Sequence, residues 1–159
     1  MSQNVHATGL VLGKTGLILR GPSGAGKSLL ALELLDAWEA RGLTAKLVSD
    51  DRIDLVAEKT GLVMLAPKSI EGLVELRGRG IVSRPFTRKA PVHLVVDLVP
   101  TLERMVEEEA LVTELLGVTL PRCPVPQAGI VDARHQLLLI KEALRALVPG
   151  KPAARQKDT

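Results

Sequence analysis

The sequence predicts a single α/β domain, a mixed β-sheet with flanking helices. Three observations carry that expectation. Gly21-Pro-Ser-Gly-Ala-Gly26-Lys27-Ser28 stands between a short apolar run and a helical pattern. Two pairs of strand-like runs joined by short turns read as hairpins, which excludes an all-parallel sheet. A chain of 159 residues has room for one hydrophobic core and not for two.

Each element follows from local pattern. Val5 to Leu12 alternates apolar residues, Gly13-Lys14-Thr15-Gly16 is a turn, and Leu17-Ile18-Leu19 is a short buried strand, so residues 5–19 read as a hairpin. After the glycine-rich loop, Leu30, Leu34, Ala37 and Trp38 recur at helical spacing with Glu33, Asp36 and Glu39 between them. That is an amphipathic helix, with Gly42 as its stop. Ala45 to Ser49 is the next strand, ending at Asp50-Asp51. Ile53 to Val56 and Leu62 to Leu65 flank Glu58-Lys59-Thr60-Gly61 as a second hairpin. Pro67 to Gly72 is loop, and Val74 to Val82 is an apolar frame holding Glu75-Leu-Arg-Gly-Arg-Gly80. Pro91 to Val99 reads as a core strand. Thr101 to Leu116 is charged and predicted mostly helical, with Glu107, Glu108 and Glu109 as a solvated run. Pro121, Pro124 and Pro126 predict an extended loop. Ala133 to Leu147 returns to helical spacing, so the domain is expected over 1–148 with a polar tail at 149–159.

Composition narrows the function classes. With 46% apolar and 25% charged residues, the chain matches a soluble globular protein. Charges interrupt every apolar stretch before it reaches bilayer length, so no membrane association is expected. The N-terminus shows no basic segment followed by a long apolar run, and the lone Cys123 suits a reducing cytoplasm. The formal charge is only +3, and Trp38 and Phe86 are the only aromatic residues. A single-stranded nucleic-acid site needs stacking platforms, so nucleic acid is not an expected partner.

The loop at 21–28 satisfies G-x-x-x-x-G-K-[ST] in full, with the required strand before and helix after. Its glycines let successive backbone N–H groups surround a phosphate, and the helix N-terminus adds a favourable dipole. Lys27 supplies a full charge for β and γ phosphates, and the Ser28 hydroxyl is a hard oxygen suited to Mg²⁺. The expected ligands are therefore a nucleoside triphosphate and Mg²⁺, with Gly21, Pro22, Ser23, Gly24, Ala25, Gly26, Lys27 and Ser28 forming the cradle. Two strands end in aspartate. Asp97 matches the generic position that orders Mg²⁺ or its waters, or else is a surface carboxylate closing a strand. Asp50 and Asp51 are adjacent carboxylates, which points to a role in proton transfer, or else they form the turn that starts the second hairpin.

His6, the loop, Val48-Ser-Asp-Asp51, Val74-Glu-Leu-Arg-Gly-Arg-Gly-Ile81, Leu102-Glu-Arg104 and Pro121 to Gly129 occur in a definite order and spacing. In this the chain resembles the bacterial HPr kinase/phosphorylase family. The likeness spans residues 5–145 and covers only that family's catalytic domain, as in its short forms. It implies the HPr kinase/PEP carboxykinase-like version of the α/β fold. It also implies an ATP-dependent serine kinase acting on the phosphocarrier HPr in phosphotransferase-system regulation. The resemblance assigns His6, Lys27, Asp50, Asp51 and Arg104 to the active site, with Asp51 as acid/base. It makes Ser28 and Glu75 the metal-linked residues and ties Arg77, Gly78 and Gly80 to catalysis. Family hexamers make a homo-oligomer an expectation.

Two departures stand out. Where the family carries Pro-Val-Arg-Pro-Gly-Arg-Asn, associated with dephosphorylation, this chain reads Pro124-Val-Pro-Gln-Ala-Gly-Ile130. The loop after Ile81 lacks the family's glycine-alanine run. Losing two cations weakens the hold on a second phosphate, so weak or absent phosphorylase activity is expected. The alternatives are a loop kinase of a small metabolite, with Arg77, Arg79, Arg84, Arg88 and Lys89 as a lid, or a nucleotide-dependent regulatory module.

Overall fold

The computed structural model describes residues 1–147, so the tail expected at 149–159 lies outside the described residues. In chain order the strands are β1 (Ser2–Val5), β2 (Thr8–Leu12), β3 (Thr15–Arg20), β4 (Ala45–Ser49), β5 (Ile53–Glu58), β6 (Gly61–Leu65), β7 (Leu73–Leu76), β8 (Gly80–Ser83), β9 (Lys89–Pro91), β10 (Leu94–Val99), β11 (Val112–Leu115) and β12 (Val118–Pro126). The helices are α1 (Lys27–Ala40) and α2 (Ala133–Arg145). The centre is a six-stranded mixed sheet in the order β11-β12-β10-β3-β2-β4. Within it β3, β10 and β12 run parallel, whereas β2 is antiparallel to β3 and β4. A four-stranded sheet, β1-β5-β6-β9, and the separate β7–β8 hairpin complete the molecule.

Period-two alternation builds a core on each face of the six-stranded sheet. Leu17, Leu19, Val96 and Leu98 join α1 and α2 in one cluster. Ile18 and Val95, one residue out of step with them, join Ile53, Leu55, Leu62 and Met64 of the four-stranded sheet in the other. The layers are therefore helices, large sheet, small sheet. The two sheets approach closely where Gly9 and Gly16 lie. A Cβ at Gly9 would stand 2.7 Å from Ile53 Cδ1, and one at Gly16 would stand 1.7 Å from the Pro91 carbonyl oxygen.

Both sequence-predicted hairpins form, as do α1, β4 and α2. Gly42 takes φ +76 after α1, and the Leu43 N–H donates to the Trp38 carbonyl. Four expectations need correction. The segment 5–12 is not one strand: the chain bends at His6, so β1 joins the small sheet and β2 the large one. Helix α1 is buried well beyond one face. Leu30, Ala31, Leu32, Leu34, Leu35 and Trp38 are all inside, because the β7–β8 hairpin and α2 cover what the sheet does not. Each such Leu contributes about 1.5–3 kcal/mol, leaving only Leu29, Glu33, Asp36, Glu39 and Ala40 exposed.

Residues 101–116 are not mostly helical. A short 3-10 turn at Glu108–Leu111 leads into β11. Leu116 (φ +50) and Gly117 (φ +79) then form a two-residue turn, both with positive φ, which fixes a β11–β12 hairpin instead. The proline-marked segment is likewise a strand. Pro124 and Pro126 are two residues apart and so turn their missing N–H groups toward one edge. Pairing with β11 ends at Pro121, so that edge demands no ladder donors there.

Candidate active site

The chain leaves β3 at Arg20, loops through 21–26 and enters α1 at Lys27. Gly26 has φ +100, a conformation that favours glycine, and a Cβ there would press on Ala128 Cβ at 3.1 Å. Gly24 has φ +83. The loop tightens through the Ala25 N–H, which donates to the Pro22 carbonyl at 3.1 Å. Among the described residues no side chain caps α1, so its first amides remain available to an anion. Lys27 is buried (7% exposed), and its Nζ donates to the carbonyls of Gly21 at 2.8 Å and Pro22 at 3.3 Å. An ammonium has three protons, so one remains for a phosphate oxygen.

A cavity of about 440 Å³ opens over this loop. It is lined by Ser23, Gly24, Gly26, Lys27 and Ser28 from the loop, Asp50 and Asp51 from the end of β4, Glu75 and Arg77 from the β7–β8 hairpin, and Ala128. Alternation explains the hairpin's part: Val74 packs against the α1 core while Glu75, its neighbour, stays exposed toward the cavity. The Ala128 N–H donates to the Ala25 carbonyl at 3.3 Å, so the segment that departs from the family pattern rests on the loop itself.

The two aspartates take different partners. Asp50 Oδ1 accepts from Ser28 Oγ at 2.8 Å and from Thr8 Oγ1 at 3.1 Å. Asp51 Oδ1 lies 3.2 Å from His6 Nδ1, with both side chains more than half exposed. Asp51 also adopts φ +73, in the left-handed region, and its N–H donates to Thr8 Oγ1 at 3.2 Å. Lys27, Ser28, Asp50, Asp51 and Glu75 thus meet in one cavity, and His6 joins them at its rim through Asp51. Arg104 does not line that cavity; it is exposed in the irregular stretch before the 3-10 turn.

The donor set suits a polyphosphate with a hard cation. Ser28 Oγ and the Asp50 carboxylate are adjacent, and Glu75 lines the same space. Among the described residues no three His, Cys, Asp or Glu side chains form a metal cage. Magnesium usually binds through one or two carboxylates plus phosphates and waters, which is what this arrangement offers.

Asp97 lies elsewhere. Arg20, Asp97 and Arg122 each follow a residue of the small-sheet cluster by two positions (Ile18, Val95 and Leu120), so all three project from the face opposite α1. Arg20 grips Asp97 through two hydrogen bonds, at 2.7 and 2.8 Å, and Arg122 adds a third. Burial alone would raise the Asp97 pKa. Hydrogen bonds and charge from the two guanidiniums overcome that and hold it below its ordinary value. Asp97 is therefore a structural ion-pair hub rather than a ligand in the cavity. Cys123 is buried, and desolvation pushes its thiol up to about 12, so it is chemically quiet. Thr8 and Ala128 are site residues that sequence reasoning did not single out. Thr8 lies only two residues past His6, but its relation to Asp50 needed the β2–β4 pairing to be known.

Comparison with known proteins agrees with this fold. Residues 1–149 match the family model described as the HPr Serine kinase C-terminal domain. The chain is 32% identical over 143 residues to the HPr kinase/phosphorylase of Verminephrobacter eiseniae, covering 82% of this chain and 42% of that protein. It is 36% identical over 145 residues to the HPr kinase/phosphorylase of a Geobacillus species, covering 80% and 44%. The chain thus spans less than half the length of these curated relatives. The solved structure of the HPr(Ser) kinase/phosphatase from Coxiella burnetii superposes with a TM-score of 0.71 at 30% identity, over 90% of this chain and 88% of that one. By sequence and by fold alike, the chain belongs to the HPr serine kinase C-terminal domain family.

Proposed function

We propose that this domain is an ATP-dependent kinase that phosphorylates a serine of HPr or an HPr-like phosphocarrier. The observation that carries the reading is the shared cavity, where the phosphate loop and the Asp50-Asp51 pair face one space. The uncapped amides of α1 and Lys27 hold the triphosphate. Ser28, Asp50 and Glu75 would hold magnesium, which when bound would neutralise charge on the phosphates. Asp51 accepts the proton of the incoming serine hydroxyl, and His6, against its carboxylate, keeps that carboxylate oriented. Catalysis is mostly positioning and charge stabilisation, which a preformed cavity supplies. Arg77, which lines the same cavity, is the arginine available to meet the transferring group. Arg104 retains a part only if its loop moves inward with HPr bound.

The reverse reaction needs a second phosphate beside the first. The segment reaching the loop presents Ala128 to the cavity and carries no arginine between Pro124 and Ile130. We therefore read the domain as a kinase with weak or absent phosphorylase activity. No described helix is long and apolar enough to cross a membrane, and a reducing cytoplasm suits the buried free thiol. The test incubates the purified protein with HPr, ATP and Mg²⁺ and reads intact mass. The expected result is one added phosphoryl group on HPr, lost when the acceptor serine is changed to alanine. Unmodified HPr alongside a phosphorylated small alcohol would replace this reading with the metabolite kinase.

A further inference from the structure

Thr8 is fully buried on β2, yet neither hydrogen bond of its hydroxyl serves ordinary strand packing. Its Oγ1 donates to Asp50 Oδ1 at 3.1 Å and accepts the Asp51 N–H at 3.2 Å. That same Asp50 oxygen accepts from Ser28 at 2.8 Å. One hydroxyl therefore ties the side chain of one aspartate to the backbone of the next. Asp51 needs such a tie, since at φ +73 it holds a conformation that glycine adopts freely and a side-chain-bearing residue resists. Glycine there would remove the strain and also the carboxylate.

We infer that Thr8 is the positioning residue of the acid pair: its hydroxyl locks Asp51 in the left-handed turn and so divides the two carboxylates between separate tasks. Asp50 is kept on Ser28 at the phosphate loop, and Asp51 is kept on the open side, against His6. This rests on the proposed kinase reading for its effect on rate, but the lock itself is a property of the apoprotein.

Two variants separate the lock from mere packing. Thr8→Val keeps the volume and removes both hydrogen bonds, whereas Thr8→Ser keeps the hydroxyl and removes a methyl group. Misplacing a reacting group by about 1 Å costs roughly 10²-fold in rate, so Thr8→Val should lower kcat by about that factor. Its KM for ATP should change less than kcat, because Asp50 keeps its hydrogen bond from Ser28 and the loop residues themselves are unaltered. Thr8→Ser should restore kcat to within a few-fold. Equal loss in both variants, or a larger loss in Thr8→Ser, would mean that Thr8 only fills space. Amide exchange followed by NMR reads the lock without any assay. Asp51 is exposed, yet its N–H should exchange at least about tenfold slower in wild type and Thr8→Ser than in Thr8→Val. Unprotected Asp51 in the wild type overturns the inference even if Thr8→Val fails to fold. Protection of Asp51 in a protein that phosphorylates no HPr leaves the lock standing and removes the kinase reading.

Discussion

Asp51 and Asp97 belong to strands of the same sheet on either side of β3, Asp51 two residues past the end of β4 and Asp97 within β10, and they have opposite surroundings. Asp51 stands in a strained turn above the phosphate loop, more than half exposed, with a single histidine as its side-chain partner. Asp97 projects from the other face, mostly buried, and is gripped by Arg20 and Arg122. Whether a carboxylate on or beside a strand stays open or is tied into the fold depends on two things. One is the face on which alternation places it, and the other is whether cations already occupy its lone pairs. Asp51 keeps acceptor capacity for a substrate proton, whereas Asp97 has spent its own on guanidiniums.

That contrast can be broken most sharply by exchanging each carboxylate for its amide. Asp51→Asn should lower the rate of phosphoryl transfer to HPr by about 10²–10⁴-fold, the usual contribution of a positioned general base, with little change in unfolding midpoint. Asp97→Asn should do the reverse. Transfer stays within a few-fold of wild type, while urea unfolding reveals a loss of about 1.5–3 kcal/mol, typical of a hydrogen bond to a charged group. If Asp97→Asn abolished transfer without destabilising the fold, the two regions would not be distinct.

A smaller effect follows from pH. The folded-state pKa of Asp97 lies below its ordinary value of 3.8. Its ion pairs therefore contribute their full stability above that value, and the contribution disappears as pH falls through the depressed folded value. Wild-type stability should drop across this acid window, and Asp97→Asn should flatten that part of the profile. Equal acid slopes in the two proteins would contradict the ion-pair assignment. The smallest effect concerns Cys123, on β12 beside the strand that carries Asp97. With its thiol pushed up to about 12, it should resist a maleimide at neutral pH in the native protein and react once urea unfolds the chain. Rapid native labelling would show that this side of the sheet is looser than described.

Much of the site was legible because its chemistry is local in sequence. The loop at 21–28 carries its own turn glycines and helix start, and Asp50-Asp51 follows a clear strand. What could not be read depended on long-range pairing. The parity that sends Asp97 to the far face is visible only once Ile18, Val95 and Leu120 are known to share a cluster. The glutamates at 107–109 suggested a solvated helix, but the Leu116-Gly117 turn hands residues 112–115 to β12 instead. Three prolines argued for loop, and an uncovered sheet edge made two of them harmless. Thr8 looked like one more residue of an alternating strand, although β4 brings the acid pair onto its hydroxyl.

The central claim concerns where a triphosphate ends. A crystal structure of the protein with a non-hydrolysable ATP analogue and Mg²⁺ measures it directly. The account predicts the terminal phosphate between the Lys27 ammonium and the Asp51 carboxylate, with room on the Asp51 side for a serine hydroxyl in line. A terminal phosphate directed away from Asp51, or bound on the Arg20–Asp97–Arg122 face, would contradict it.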